Sequence, residues 1–188
     1  MTSPPKPSQE DSESEVEIPT DSESDSDSGT EMTDSQVQKW LTNTFDRSTT
    51  KPMKAPLTAS LSIPISASDV EKIKAGFRSR NMDDKWDLLA ENPDEEGNLS
   101  LHIIRNWLHE ECYVLHVVPE HEGKAKIEKI TWEGNKGGLR CDEKQAMMEA
   151  VILCRMMLGC EFEALPEYGI GNLENTKVYK KLDAPDAK

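Results

Sequence analysis

Four side chains in the middle of the chain are the ones whose chemistry could matter: His102, Arg105, Trp107 and His116. His102 and Arg105 fall in Leu101-His102-Ile103-Ile104-Arg105-Asn106-Trp107, and His116 falls in a following apolar run. Imidazoles on neighbouring strands can ligate a metal when a third ligand, here Cys112 or Cys141, reaches the same face. A strand histidine more often packs with one ring nitrogen hydrogen-bonded, and that is the reading adopted, with no metal and no cofactor expected. An arginine near a tryptophan can hold an anion or stack on the ring. An ion pair of Arg105 with Glu110 or Glu111 is the favoured alternative. Spacing singles out no Ser/His/Asp or Cys/His arrangement, so the catalytic residues are unknown. Gly137-Gly138 follows Lys136 without the rest of a phosphate-binding loop.

A second chemistry lies near the N-terminus. Ser12, Ser14, Ser22, Ser24 and Ser28 each have an acidic residue three positions on. An acidophilic kinase prefers that pattern, and each phosphate would add about 1.5–2 negative charges. Val16-Glu17-Ile18 with its acidic flank also looks like a short segment that adds as a strand to a partner.

The elements that would position these residues follow from composition. Of 188 residues, 35% are hydrophobic, and the formal net charge is -14. Residues 1–35 hold eleven acidic side chains, one lysine and no aromatic. Such a segment cannot bury enough apolar surface to offset chain entropy, so 1–35 is expected to be a disordered acidic tail. The acidity argues against nucleic acid and anionic membrane as partners and leaves a protein partner. With neither signal peptide nor apolar span, a cytoplasmic or nuclear location is expected. Cys112, Cys141, Cys154 and Cys160 form no CxxC pair and read as buried thiols.

Residues 36–67 are expected to be a linker. Val37, Trp40, Leu41 and Phe45 have the spacing of a short helix, and Pro52, Pro56 and Pro64 favour extended chain after it. The domain is expected at 68–162, opening on a helix capped by Ser68 with Glu71 and closed by Gly76. Strands are predicted at 86–90, 99–107, 112–118 and 126–133. In the last, Glu128, Ile130 and Trp132 share one face by strict alternation. Trp86, Trp107 and Trp132 are expected to be buried. A longer helix at 142–158 follows, with Asp142 at its start and Gly159 at its end. The predicted class is α+β, a four-stranded antiparallel sheet with a helix before it and a longer one after. Residues 163–188 read as a loose tail.

One resemblance is carried by three short motifs. They are Asn81-Met82-Asp83-Asp84-Lys85-Trp86, then 98–107 with His102 and Arg105-Asn106-Trp107, then Ile130-Thr131-Trp132-Glu133-Gly134-Asn135. This pattern resembles a set of small domains in predicted fungal proteins. Those read Met-Glu-Asp-Lys-Trp, then His-x-x-Arg-Ser-Trp-Thr-Gly, then a strand ending Trp-Glu. The likeness spans 68–162. Asn106 stands where those domains usually have Ser, and Leu108-His109 where they have Thr-Gly, so the turn after Trp107 is altered. The resemblance implies a fold and brings no activity with it. The function expected from the sequence is a non-enzymatic protein-interaction module with a phosphorylatable acidic tail. The alternative is a small enzyme or ligand-binding domain with a pocket near His102, Arg105 and His116.

Overall fold

The computed structural model describes residues 43–81, 83–173 and 180–181. The serines at 12, 14, 22, 24 and 28 and the helical pattern of Val37, Trp40 and Leu41 lie outside them. The main sheet is antiparallel and five-stranded. Its strands are β1 (Pro56–Ile65), β2 (Trp86–Ala90), β3 (Leu99–Arg105), β4 (Glu110–Pro119) and β5 (Ala125–Glu133), in the order β1-β5-β4-β3-β2. Helix α1 (Ala67–Ala75) joins β1 to β2. Two short strands, β6 (Asn135–Lys136) and β7 (Leu139–Arg140), form a hairpin before helix α2 (Glu143–Leu153). The chain continues from α2 into a π-helical turn, Cys154–Leu158, closed by Gly159 in the left-handed conformation. The backbone of β8 (Lys180–Lys181) pairs with β7.

The mixed α+β class therefore stands, but the sheet has five strands where four were expected. The additional strand is β1, inside the segment expected to be a linker. Its prolines mislead: a strand at a sheet edge tolerates a missing N–H. Its period-two pattern, Leu57, Ala59, Leu61, Ile63 and Ile65, turns one row toward the core.

The core face of the sheet carries Leu88, Leu101, Ile103, Tyr113, Leu115, Ile130 and Trp132, packed with Ile73 of α1 and Ala150 and Val151 of α2. Strict alternation fails in β5. Residues 128 and 129 form a bulge against β4, so Ile127 joins Ile130 and Trp132 on the core face while Glu128 is exposed. The cap of α1 is Ser66 rather than Ser68: its hydroxyl accepts the Asp69 N–H at 3.1 Å. Asp69 is then buried and accepts the amides of Glu161 and Phe162 at 2.8 and 3.1 Å. Gly76 ends α1 at φ 59, where a Cβ would lie 2.9 Å from the Leu88 carbonyl. Asp142 caps α2 through the Gln145 N–H.

The second face of the sheet is also covered. Phe45 stacks on the His102 ring with centroids 3.5 Å apart, and Phe45 N donates to the Ala90 carbonyl. Further along, the Lys51 backbone pairs beside Glu110, its N–H donating to the His109 carbonyl and its carbonyl accepting from Glu111 N. Residues 43–53 thus form a strap across this face, part of the folded domain. The segment after α2 is likewise packed. The Arg155 guanidinium donates to the carbonyls of Glu161, Phe162, Leu165 and Pro166, and Leu165, Tyr168 and Leu173 pack on the core. The expectation of a loose tail from 163 onward is corrected for these residues.

Candidate functional site

Trp86 opens β2 and Arg105 ends β3, and the register sets them opposite each other. The Arg105 guanidinium lies 4.8 Å over the Trp86 ring, within cation–π range. Arg105 also faces Glu110 across β3 and β4. Around this pair is an open cleft of about 610 Å³. Its apolar lining includes Trp86, Leu108, Leu139 and Met53, and its cations are Lys51, Lys54, Arg105 and Lys136. Two of its three carboxylates are committed within the fold. Glu111 takes a bidentate pair of bonds from Arg47 at 2.9 and 3.1 Å. Glu133 accepts the amides of Lys54, Ala55 and Asn135. The third, Glu110, lies 3.9 Å from Lys54.

Past Arg105 the strand stops. Residues Asn106–Leu108 make one 3-10 turn, closed by His109 in the left-handed conformation at φ 52. Backbone bonds pin the turn: Asn106 N to Lys85 O, His109 N to Asn106 O, and Lys51 N to His109 O at 2.7 Å. Trp107 is therefore not a strand residue, and the alternation that would have buried it has ended. It is 57% exposed and Leu108 is 51% exposed, against the expectation of a buried Trp107. Trp86 and Trp132 are buried as expected, and Trp132 Nε1 donates to the Cys141 carbonyl at 2.9 Å. Leu108 lines the cleft. Trp107 lines a shallower depression with Arg78 and Arg80, so the turn is an apolar ridge between two cation-bearing concavities.

Behind the cleft lies a buried polar cluster. Lys136 Nζ donates to Glu149 at 2.7 Å and to the Tyr113 hydroxyl. Tyr113 donates to the same Glu149 oxygen, and Gln145 Nε2 donates to the other. Nζ sits 4.4 Å from the Tyr113 ring centroid, but at the hydroxyl end, so hydrogen bonding describes this contact better than a cation–π stack. Gly137 and Gly138, at φ 62 and 86, make the tight β6–β7 turn that presents Lys136. Sequence reasoning missed this cluster. Its one signal was Glu149, the lone charge in Ala146-Met147-Met148-Glu149-Ala150-Val151-Ile152-Leu153.

The two histidines do not join the cleft. His102 Nδ1 bonds Glu111 at 2.6 Å. Its Nε2 lies 3.1 Å from Glu91 but at an angle that makes no hydrogen bond. His116 faces Ser100 and Thr131 through its two ring nitrogens, at 3.4 and 3.2 Å. His102 pairs across the ladder with Val114, and His116 with Ser100, so the two rings are diagonal rather than opposed. Burial first, then the neighbouring Lys129 charge, lowers the His116 pKa from its ordinary value. Among the described residues, no group of three His, Cys, Asp or Glu side chains is placed to hold a metal. Burial raises every described thiol, Cys112 to about 11 and Cys141 and Cys160 to about 12. Among the described residues, no helix is long and apolar enough to cross a membrane.

Fold and site together define a small α+β domain with an open, cation-bearing cleft at one end of its sheet. Beyond that class the comparisons add nothing: no protein-family model, no curated protein and no solved structure matches the chain.

Proposed function

We propose that this protein is a non-enzymatic protein-interaction module that docks a partner on the Trp107–Leu108 ridge and the adjoining cleft. The observation that supports this reading is the exposure of two consecutive large apolar side chains on a backbone-pinned turn. Large aromatic anchors on rigid supports are what protein interfaces use as energetic centres. Apart from Lys136, which Glu149 holds, the cations on both sides of the ridge suit a partner segment that carries acidic groups beside an apolar anchor. The acidic tail, phosphorylated at Ser12, Ser14, Ser22, Ser24 and Ser28, tunes that binding by charge. The partner is a protein, not a nucleic acid or a membrane, and the setting is cytoplasmic or nuclear.

A second reading has one observation in its favour. A cleft of about 610 Å³ falls within the size range of small-molecule sites, and Arg105 lines it. Of the residues expected to form such a pocket, His102 and His116 are absent from its lining.

The test is selection of a phage-displayed random peptide library on the immobilised full chain. Enrichment of acidic peptides with an apolar anchor is expected, and their binding should be lost in Trp107→Ala/Leu108→Ala. Enrichment that ignores the double substitution would contradict the ridge. No enrichment, with a small acid protecting the chain from thermal unfolding instead, would favour the second reading.

A further inference from the structure

The two edges of the sheet are finished differently. On the β2 side, Phe77 and Leu88 exchange two backbone bonds at 2.6 and 2.7 Å, and Phe45 N reaches the Ala90 carbonyl at 2.9 Å. On the other side, β1 pairs only inward with β5. Among the described residues nothing pairs with its outer edge. The strand is ten residues long, and positions 55–68 contain no charged side chain. Edge strands of that length are normally guarded by lysines or inward-pointing charges, because unpaired N–H and C=O groups recruit further strands. Among the described residues the guards here are the prolines at 56 and 64 and an irregularity between Ser60 and Ile63. Leu57 is 41% exposed, and Ala59, Leu61 and Ile63 on the same face are half-buried.

The strand is also self-complementary. Read outward from Ser60, one arm is Ala59, Thr58, Leu57, Pro56 and the other is Leu61, Ser62, Ile63, Pro64. A twofold axis through Ser60 in an antiparallel pair, with the irregularity between Ser60 and Ile63 straightened on pairing, sets Leu57 opposite Ile63 of the second copy, Thr58 opposite Ser62, and Ala59 opposite Leu61. Every opposed pair then shares a face and a chemical type, small Ala59 meets larger Leu61, and the prolines fall at the ends. A closed dimer requires this condition: one patch must complement itself.

We propose that β1 is the dimerisation edge of this protein, joining two copies antiparallel about Ser60 into one continuous sheet. No charge is desolvated along the strand. The gain is a ladder of backbone bonds plus burial of Leu57, Leu61 and Ile63, which makes a small interface and a dimer that dissociates on dilution.

Sedimentation equilibrium of the full chain across the micromolar range should show the mass rising from 21.1 kDa toward twice that value. Ser60 is exposed and pairs with Lys129 of β5, so Ser60→Glu should leave the circular dichroism spectrum unchanged while abolishing the dimer. Ser60→Cys supplies the geometric test. Residues directly opposed in an antiparallel pair have Cα atoms about 4.5–5.5 Å apart, within disulfide reach. Mild oxidation of Ser60→Cys in a Cys112→Ser background should therefore give a covalent dimer that the Cys112→Ser chain alone, whose remaining thiols Cys141, Cys154 and Cys160 are buried, does not form. A monomer at every concentration would overturn the proposal. So would a dimer that Ser60→Glu leaves intact, or the absence of cross-linking above the Cys112→Ser chain.

Discussion

Lys136 Nζ lies 2.7 Å from a Glu149 carboxylate oxygen, and Glu149 has 0% of its surface exposed. A carboxylate taken wholly out of water costs several kcal/mol unless a partner charge and hydrogen bonds replace its hydration. Here Lys136, Tyr113 and Gln145 replace it. Because Lys136 stands on the β6–β7 hairpin and also lines the cleft, the same contact that stabilises Glu149 fixes one wall of the proposed binding surface.

Breaking that pair from one side should be severe. Lys136→Met leaves an uncompensated buried charge and should destabilise by about 3–5 kcal/mol in urea titration. Lys136→Met combined with Glu149→Gln should recover more than half of that loss. Additive single effects would contradict the coupling.

Acid should loosen the strap side of the sheet. Burial opposes ionisation of Glu111, but the bonds from His102 and Arg47 outweigh it and hold the carboxyl below its ordinary 4.5. His116 is held below its ordinary 6.5. In both cases the folded value is the depressed one. The stabilisation is therefore complete above the unfolded value and is lost as pH falls through the folded one. Unfolding free energy should begin to fall below 6.5 and fall further below 4.5. His116→Gln should flatten the first limb and Glu111→Gln the second. Unchanged limbs in both variants would place the acid sensitivity elsewhere.

The thiols should be silent in the native state. Cys112, Cys141 and Cys160 are raised to about 11, 12 and 12, and Cys154 is raised well above its ordinary value. At neutral pH essentially no thiolate is present. Reaction with Ellman's reagent should therefore follow global unfolding in its denaturant dependence. Cys112 is half-buried in the cleft wall, so rapid reaction of Cys141, Cys154 or Cys160 in native buffer is the result that would contradict the burial described.

Tail phosphorylation should weaken binding of an acidic peptide. Each phosphate on Ser12, Ser14, Ser22, Ser24 or Ser28 adds about 1.5–2 negative charges to the same molecule, and the effect should shrink as salt screens it. Fluorescence anisotropy with a labelled peptide, before and after phosphatase treatment, checks this. Identical affinities at low salt would show that the tail does not tune binding.

Local pattern made some features legible in the sequence. β2 coincides with its predicted span, and β3, β4, β5 and both helices lie within a few residues of theirs. Gly76, Gly159 and Asp142 act as the caps their types suggest. The rest was hidden for identifiable reasons. β1 looked like a linker because edge strands accept proline. The side chains of β5 change face at a bulge that alternation cannot foresee. Trp107 left the strand when a left-handed His109 turned the chain. The Lys136–Glu149 contact, the Arg155 clamp and the Phe45–His102 stack each depend on tertiary juxtaposition, which local periodicity does not encode. Of the four candidate residues, Arg105 and Trp107 belong to the proposed surface, whereas His102 and His116 are packed on the other face of the sheet.

The Trp107–Leu108 ridge is proposed to bind a protein segment. The most direct test is the affinity of a library-selected peptide for the full chain, measured by titration calorimetry for wild type and for Trp107→Ala. Loss of a hot-spot aromatic costs about 2 kcal/mol or more, so affinity should fall at least about thirtyfold. The melting temperature should hold, because Trp107 is 57% exposed. Trp132→Ala, at 5% exposure, should instead cost about 3–5 kcal/mol of stability. Unchanged affinity in a folded Trp107→Ala protein would contradict binding at the ridge.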